Sequence, residues 1–326
     1  MFLALDAGGT STRAVTLDAS GHALGYGRAA TGNPTAVGIE SAVAAIGHSA
    51  QAALAGEVAT DPVSCVIAMA GQQTPAFLNR VSARLGSLGV GPVLLQPDLL
   101  GIFHSGTHEL DGYALIAGTG SVAARIRDGR LERVVGGRGW LLGDEGSGFW
   151  IGHHVARAVV AALDNQVPPT ALTDLVLAAV GIEAPGSPID RDRALHQLLT
   201  ALWARRPVEL SAFATLAFQS HADPAARAIL LTASRALAQL ITAVRMPDQP
   251  GPLVVGGSVA VRGMLAAPHD LRGELTRAAA GVQVIPVPDG VVGAAVLALR
   301  SAEIHVDAAL FDTLRAEVGR VAASAP

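Results

Sequence analysis

Short apolar runs with alternating polar positions fill the first hundred residues, and they predict β-strands. Such runs end in glycine-containing or polar turns, as strands commonly do. The predicted strands lie at about 2–7, 12–18, 22–29, 63–69 and 92–96. Apolar residues at helical spacing predict helices over about 35–55 and 75–87. Three consecutive strands followed by alternating helices and strands indicate a mixed α/β layer.

The second half of the chain restarts this order. Strands are predicted at about 113–118, 122–127 and 131–135, followed by a long helical region over about 147–246. Strand-like segments at 253–255 and 282–287 and helices at about 290–300 and 306–321 complete the chain. We therefore expect a duplicated core in two domains. The first spans residues 1–105 with the C-terminal helices from about 290–326, and the second spans 106–289 with a helical insertion.

A glycine-rich turn occurs at the same place in both halves. The segment Leu3–Arg13 and the segment Leu115–Arg125 each run from an apolar strand through a Gly/Thr/Ser turn into a second strand. Glycine lets backbone N–H groups approach an anion closely, and hydroxyl groups add further donors. Two such turns predict a polyphosphate that is held from two sides.

Composition and charge exclude several classes of function. Half of the 326 residues are apolar, and the net charge of −4 includes no basic block, so neither nucleic acid nor a membrane surface is an expected partner. The chain enters a strand at once, and we expect no signal peptide. The apolar segment Ala225–Arg245 contains Arg227 and Arg235, which favours a buried amphipathic helix over a membrane span.

The cysteine and lysine content of the chain limits which catalytic and nucleotide-binding groups it can use. The single Cys65 lies in an apolar strand, which indicates a core residue and a reducing cytoplasm. The chain contains no lysine, so it has no Walker-A lysine and no Schiff-base lysine. If it handles ATP, it does so with backbone amides, hydroxyl groups, arginine and a metal ion.

Four motifs in order along the chain resemble one known family. They are Asp6–Thr10, Ala117–Ser121, Gly143–Ser147 and Val255–Ser258. Together they resemble the BadF/BadG/BcrA-type ATPase and N-acetylglucosamine kinase family, which belongs to the sugar kinase/actin/heat-shock-ATPase superfamily. The resemblance implies an α/β fold of two ribonuclease-H-like, actin-like ATPase domains that close over ATP and a substrate.

The resemblance also implies roles for two carboxylates. Asp98 follows the strand at about 92–96 and matches the base that accepts the proton of the attacking sugar hydroxyl. Asp6 matches an aspartate that faces the metal–phosphate region, where it holds Mg²⁺ directly or through water. From the residue types alone, Asp6 could instead cap its turn and Asp98 could cap a helix.

Further positions are implied for sugar and nucleotide. Asn33 matches a sugar-contacting asparagine and Asp144 a sugar-binding aspartate, while Trp140 could line the pocket or simply pack. Gln72 could face the 2-substituent of the sugar. The predicted substrate-binding residues are Asn33, Gln72, Asp98, Gly120, Ser121, Trp140 and Asp144. The predicted ATP- and phosphate-binding residues are Gly8, Gly9, Thr10, Ser11, Thr119, Gly120, Gly256, Gly257 and Ser258.

These expectations combine into an ATP- and Mg²⁺-dependent amino-sugar kinase that phosphorylates the 6-hydroxyl of N-acetylglucosamine. Free glucosamine or another hexose derivative is the alternative acceptor. Two alternatives come from other classes. One is an ATPase activator of iron–sulfur reductases, which a single cysteine disfavours; the other is a sugar-responsive regulator. Family members are often dimers, which leaves a homodimer open.

Overall fold

The computed structural model describes residues 1–55, 63–71 and 73–325 of the chain. Two five-stranded sheets organise these residues. The first sheet contains β1 (Phe2–Ala7), β2 (Thr12–Leu17), β3 (Ala23–Ala29), β4 (Val63–Met69) and β5 (Val90–Pro97). The second contains β6 (Gly112–Ala117), β7 (Ser121–Arg127), β8 (Arg130–Gly136), β9 (Leu253–Gly256) and β10 (Val284–Pro286).

The two sheets share one topology. The strand order is β3-β2-β1-β4-β5 in the first sheet and, read from the corresponding edge, β8-β7-β6-β9-β10 in the second. In each sheet the three meander strands pair antiparallel, the fourth strand pairs parallel with the central one, and the fifth pairs parallel with the fourth. This is the ribonuclease-H-like arrangement, so the predicted α/β class and the duplicated core are confirmed.

Twelve α-helices accompany the sheets in the described part of the chain. They are α1 (Pro34–Val37), α2 (Ile39–Ala53), α3 (Pro75–Gly86), α4 (Asp98–Gly106), α5 (Gly148–Leu163), α6 (Leu172–Ala179), α7 (Pro188–Trp203), α8 (Ala214–Gln219), α9 (Pro224–Val244), α10 (His269–Ala278), α11 (Val291–Ser301) and α12 (Ala308–Ser324). A 3₁₀ segment spans Pro207–Phe213, and a π-helical segment spans Val259–Met264. Residues 148–244, which carry α5 to α9, are called the helical insertion below.

The predicted helix over 35–55 was wrong in one respect, because it is two helices. Gly38 separates α1 from α2 and has φ of +82°. An L-residue with a side chain rarely adopts this conformation, so glycine permits the break. The strand predicted over 282–287 is shorter than expected and spans Val284–Pro286.

Helices α4 and α11 cross between the two sheets. Helix α4 follows β5 of the first sheet but also contacts β6 and β9 of the second, while α11 follows β10 and packs on β1 and β4. The crossing is close because Gly293 has no Cβ, which would collide with the carbonyl oxygen of Gly101. The Gly293 N–H donates to Ser105 Oγ at 2.8 Å. The domain boundary at residue 105 stays a prediction, and it falls at the end of a helix that both halves share.

The helix α9 is, among the described residues, the one helix long and apolar enough to cross a membrane by length and composition. Its apolar face lies in the core of the second half, where Leu230, Leu237 and Ile241 are buried. This packing agrees with the predicted amphipathic core helix. Cys65 is likewise buried, and burial raises the pKa of its thiol.

Candidate active site

The carboxyl ends of three parallel strands form the floor of the candidate site. In the register of the first sheet, Ala7 lies beside Met69, and Met69 lies beside Pro97. The residues at and just beside these positions therefore meet at one edge, as they do in open α/β sheets whose ligands bind there. Asp6 and Asp98, predicted from different motifs, are brought to this edge together.

Asp6 is buried at the end of β1, and its carboxylate contacts a backbone N–H group and an arginine side chain. Its Oδ2 accepts from the Gly290 N–H at 2.9 Å and lies 3.8 Å from an Arg13 nitrogen. Burial and the nearby Asp289 raise the pKa of Asp6 to about 6, against the lowering effect of the Gly290 N–H and Arg13. A Cβ at Gly290 would lie 3.1 Å from Asp6 Oδ1, so glycine admits the carboxylate.

Asp98 is the first residue of α4 and lies at the same edge, partly accessible to solvent. Its Oδ1 accepts from the Leu99 N–H at 2.9 Å, so the carboxylate faces the amino end of the helix. Desolvation by the surrounding protein, followed by repulsion from Asp6, raises the pKa of Asp98 to about 7. Among the described residues, no basic side chain forms a salt bridge with it. A carboxylate with these properties is suited to accept a proton near neutral pH.

The two glycine-rich turns face each other across the cleft. A Cβ at Gly9 would lie 3.5 Å from Thr119 Oγ1, so the first turn contacts the second. The first turn is closed by a hydrogen bond from the Gly8 N–H to the Ser11 carbonyl at 3.1 Å, with Ser11 buried and Thr10 exposed. The structure thus brings together the two turns that the sequence predicts to hold phosphate.

The third glycine motif joins the second turn. Gly256 ends β9, Gly257 turns the chain with φ of +88°, and Ser258 precedes the π-helical segment. A Cβ at Gly118 would lie 3.8 Å from Gly257 Cα. The strand–turn–helix arrangement expected for a nucleotide-binding segment is therefore present beside the phosphate turn.

Asp144 lies in a strained loop against the second turn. Its φ is +57°, and a Cβ at Gly120 would lie 2.8 Å from its Oδ2. Burial raises the pKa of Asp144, although the backbone N–H groups of Ser121 and Gly139 oppose this. Its Oδ1 is buried and has no hydrogen-bond partner in the part of the chain that the structure describes. Such an oxygen is costly to leave unpaired, and a bound hydroxyl group would satisfy it.

Neighbouring groups support this loop. The Ser121 hydroxyl donates to the Glu145 carbonyl at 2.9 Å, which places Ser121 in a structural contact. Trp140 is 47% exposed, with its ring 5.6 Å from that of Phe149. Trp140 packs only in part, so its role in lining the pocket stays a prediction.

Asn33 has a structural role at the start of α1. Its Oδ1 accepts from the Thr35 N–H at 2.9 Å and caps α1. A Cβ at Gly71 would lie 2.5 Å from the same oxygen, so Asn33 borders the edge that carries Asp98. Its amide NH₂ makes no hydrogen bond among the described residues and is available to a ligand. Gln72 lies outside the described residues.

Arg13 and Asp289 belong to the site but were missed as site residues. Arg13 Nε lies 3.1 Å from Asp289 Oδ2, and both groups surround Asp6. The sequence contained a signal for Asp289. Pro288 and Asp289 lie just before α11, as Pro97 and Asp98 lie at the start of α4. The pairing of residue 13 with residue 289 requires the fold and has no local signal.

The described carboxylates do not form a metal cage of their own. No group of three or more His, Cys, Asp or Glu side chains suited to a metal ion occurs among the described residues. Asp6 and Asp98 nevertheless leave the edge of the sheet electronegative, with both pKa values raised. This fits Mg²⁺, which typically takes one or two carboxylates and completes its shell with water and substrate phosphates.

The family of the chain is established by comparison with known proteins. Residues 3–298 match the model of the BadF/BadG/BcrA/BcrD ATPase family, and the chain belongs to this family. It is 28% identical over 287 residues to N-acetyl-D-glucosamine kinase of Dictyostelium discoideum, covering 82% of this chain and 88% of that protein. It is also 28% identical to glucosamine kinase GspK of Vibrio cholerae, covering 54% of this chain and 60% of that protein.

Solved structures share the fold. A candidate N-acetylglucosamine kinase from Chromobacterium violaceum superposes with a TM-score of 0.71 at 23% identity, covering 91% of this chain and 98% of the other. A ROK family glucokinase from Streptomyces griseus, solved with glucose and AMPPNP, gives a TM-score of 0.54 at 20% identity, covering 92% and 99%. These likenesses show that the chain shares its fold with these proteins.

Proposed function

We propose that this protein is an ATP-dependent amino-sugar kinase that transfers the γ-phosphoryl group to the 6-hydroxyl of N-acetylglucosamine. The observation that carries the proposal is Asp98, which has no salt-bridge partner among the described residues and has a pKa raised to about 7. The names of two relatives, an N-acetyl-D-glucosamine kinase and a glucosamine kinase, support an amino sugar as the acceptor.

Asp98 would accept the proton of the sugar hydroxyl as that oxygen attacks the γ-phosphorus. Phosphoryl transfer leaves little covalent chemistry to the protein, so positioning and charge neutralisation carry most of the rate. A positioned base adds typically about 10²–10⁴-fold. The Leu99 N–H would hold the carboxylate in place while its second oxygen takes the proton.

The opposed turns would hold the phosphates. Backbone N–H groups of the segments 9–11 and 119–120 and the Thr119 hydroxyl would supply donors where a lysine is absent from the chain. Asp6 would hold Mg²⁺, which when bound supplies positive charge to the phosphate oxygens. Among the described residues, the Gly290 hydrogen bond and the Arg13 contact both use Asp6 Oδ2, so Oδ1 is left to bind the ion.

Asp144 of the second half and Asn33 of the first half would both bind the sugar. The unpaired Asp144 Oδ1 accepts from a ring hydroxyl, and the Asn33 amide NH₂ donates to another. Both groups are polar, and a site built on such contacts discriminates strongly against sugars that lack the matching hydroxyl. The acceptor preference between N-acetylglucosamine and free glucosamine, the oligomeric state and the cellular compartment stay predictions.

A coupled ADP-release assay tests the proposal. Mg-ATP is supplied with N-acetylglucosamine, glucosamine, glucose or N-acetylmuramic acid at matched concentrations, beside a sugar-free control. We expect the highest kcat/KM with N-acetylglucosamine and little release without sugar. A preference for glucosamine would retain the kinase and change its acceptor. Sugar-independent hydrolysis alone would contradict the kinase and favour the ATPase alternative.

A further inference from the structure

One polar contact joins the helical insertion to the first half of the chain, and the proposed reaction does not use it. Arg206, which precedes the 3₁₀ segment, donates from Nη1 to the carbonyl oxygen of Ala36 in α1 at 2.8 Å. Within the described ranges, no other hydrogen bond links residues 1–97 to the insertion. The contact therefore spans the cleft between the two halves.

Glu209 orients the Arg206 guanidinium for this contact. Its Oε1 accepts from Nε at 3.2 Å and from Nη2 at 3.0 Å, and its Oε2 accepts from the Arg206 backbone N–H at 3.0 Å. Since Nε and Nη2 are engaged, Nη1 is the group left to reach Ala36. A planar guanidinium held at two nitrogens has little freedom, so the third is directed at its acceptor.

Ala36 belongs to the segment that carries Asn33. The Ala36 N–H donates to the Asn33 carbonyl at 3.0 Å, and the Thr35 N–H donates to Asn33 Oδ1 at 2.9 Å. Helix α1 has four residues, none of them buried, so packing gives it little support. A bond to Ala36 therefore restrains the position of Asn33 directly.

We propose that Arg206, oriented by Glu209, is a positioning residue. Its hydrogen bond to Ala36, called the clasp below, ties the insertion to α1 and holds Asn33 in place for the sugar. The identity of the ligand rests on the proposed function, but the clasp itself does not. A ligand that binds only the clasped form has its apparent affinity reduced by the fraction of protein in that form. Loss of the clasp therefore raises the KM for sugar, while saturating sugar returns Asn33 to its binding position and preserves kcat.

Steady-state kinetics of Arg206→Ala test the role in sugar binding. We expect the KM for sugar to rise about 3- to 10-fold, the range that loss of one hydrogen bond gives. The kcat and the KM for ATP at saturating sugar should stay within about twofold. Arg206→Lys, which keeps a donor but cannot hold Glu209 at two nitrogens, should give an intermediate KM for sugar.

Arg193→Ala is the matched control. Arg193 pairs with Asp190 three residues earlier in the insertion, much as Arg206 pairs with Glu209, but it bonds to no residue of the first half in the described structure. We expect the KM for sugar to match that of the wild type. Equal KM changes in Arg193→Ala and Arg206→Ala would overturn the proposal, because they would show a general effect of charge on the insertion.

Spin-label distances test the clasp without any reaction. Labels on Ala44→Cys in α2 and Gln197→Cys in α7 report the separation of the two halves, since both positions are exposed and Cys65 is buried. Without ligands, Arg206→Ala should shift the distances to longer and broader values, and Arg193→Ala should not. Unchanged distances overturn the clasp, and a shift without any change in the KM for sugar of an active enzyme overturns its role in holding Asn33 for the sugar. If no sugar is phosphorylated, the proposed function fails, and the distances alone decide the clasp.

Discussion

Two aspartates occupy equivalent places in the two halves of the molecule and have different surroundings. Asp98 follows β5 and Pro97 and begins α4, while Asp289 follows β10 and Pro288 and precedes α11. Asp289 lies 3.1 Å from Arg13 Nε. Asp98 has the Leu99 N–H and no such cation, and burial together with Asp6 raises its pKa to about 7. The same strand-to-helix position thus gives one carboxylate paired with a cation and one carboxylate with a raised pKa and no such cation.

The difference originates in the hairpins beside these strand ends. In the first half, Asp6 of β1 pairs with Arg13 of β2, so the hairpin carries both the carboxylate that helps to raise the pKa of Asp98 and the cation that reaches Asp289. In the second half, Ile116 of β6 pairs with Val122 of β7 at the equivalent place. The two sheets share one topology, and two side chains on one hairpin give the two aspartates their different surroundings.

The largest expected effect of a change in this hairpin comes from removing its carboxylate. Asp6→Asn should raise the Mg²⁺ concentration that gives half the maximal rate by about 10- to 100-fold, since an amide oxygen is a poorer ligand than a carboxylate. The measurement is initial rate against Mg²⁺ concentration at fixed ATP, with Asp289→Asn, which keeps the Asp6 carboxylate, expected to give a much smaller change. An unchanged Mg²⁺ dependence in Asp6→Asn would remove Asp6 from the metal site.

The pH profile is the next largest effect. Because a protonated Asp98 cannot accept the sugar proton, kcat/KM for sugar should fall about tenfold per pH unit below an apparent pKa of about 7. Asp289→Asn should retain this acid limb, because Asp289 is the neutralised member of the pair. A rate independent of pH between about 5 and 8 would show that Asp98 does not act as the base.

A smaller effect concerns stability. The pKa of Asp98 is raised from its ordinary value of 3.8 to about 7 on folding, so the folded state binds more protons and loses stability as the pH rises between these values. Asp98→Asn removes this cost and should stabilise the fold at pH 8 by about 2 kcal/mol, allowing for its partial exposure. Urea unfolding at pH 8 and pH 4 measures it, and a gain of equal size at both values would refute the ionisation account.

The smallest effect is expected for the paired aspartate. Asp289→Asn breaks the partly buried ion pair with Arg13 and should destabilise the fold by about 1 kcal/mol. Arg13→Gln should cost a similar amount, and the double variant should cost less than the sum, since both remove one interaction. Strict additivity in urea unfolding would show that the two groups do not interact in solution.

The regular elements could be predicted from the sequence, because alternating apolar runs and turn residues are local signals. Strands β1 to β4 were placed within a residue or two, and the repeat of glycine-rich turns predicted two sheets that the structure confirms. The break at Gly38 was missed, since apolar spacing continues across it and only its positive φ reveals the division.

The site could be predicted in part. Asp6, Asp98, Asp144 and the glycine turns meet at the cleft, yet the partners of the carboxylates come from distant parts of the chain. The Gly290 N–H reaches Asp6, and Arg206 reaches Ala36, across separations that no local pattern encodes. The strain and the unpaired oxygen of Asp144 are likewise properties of the folded loop.

The most direct test of the account measures ADP release and sugar phosphate formation by Asp98→Asn and Asp289→Asn side by side, with Mg-ATP and saturating N-acetylglucosamine. The account predicts that Asp98→Asn binds the sugar but loses about 10²–10⁴-fold in kcat, while Asp289→Asn stays within about tenfold of the wild type. Turnover by Asp98→Asn within a few-fold of the wild type, or an equal loss in both variants, would contradict the distinction between the two carboxylates.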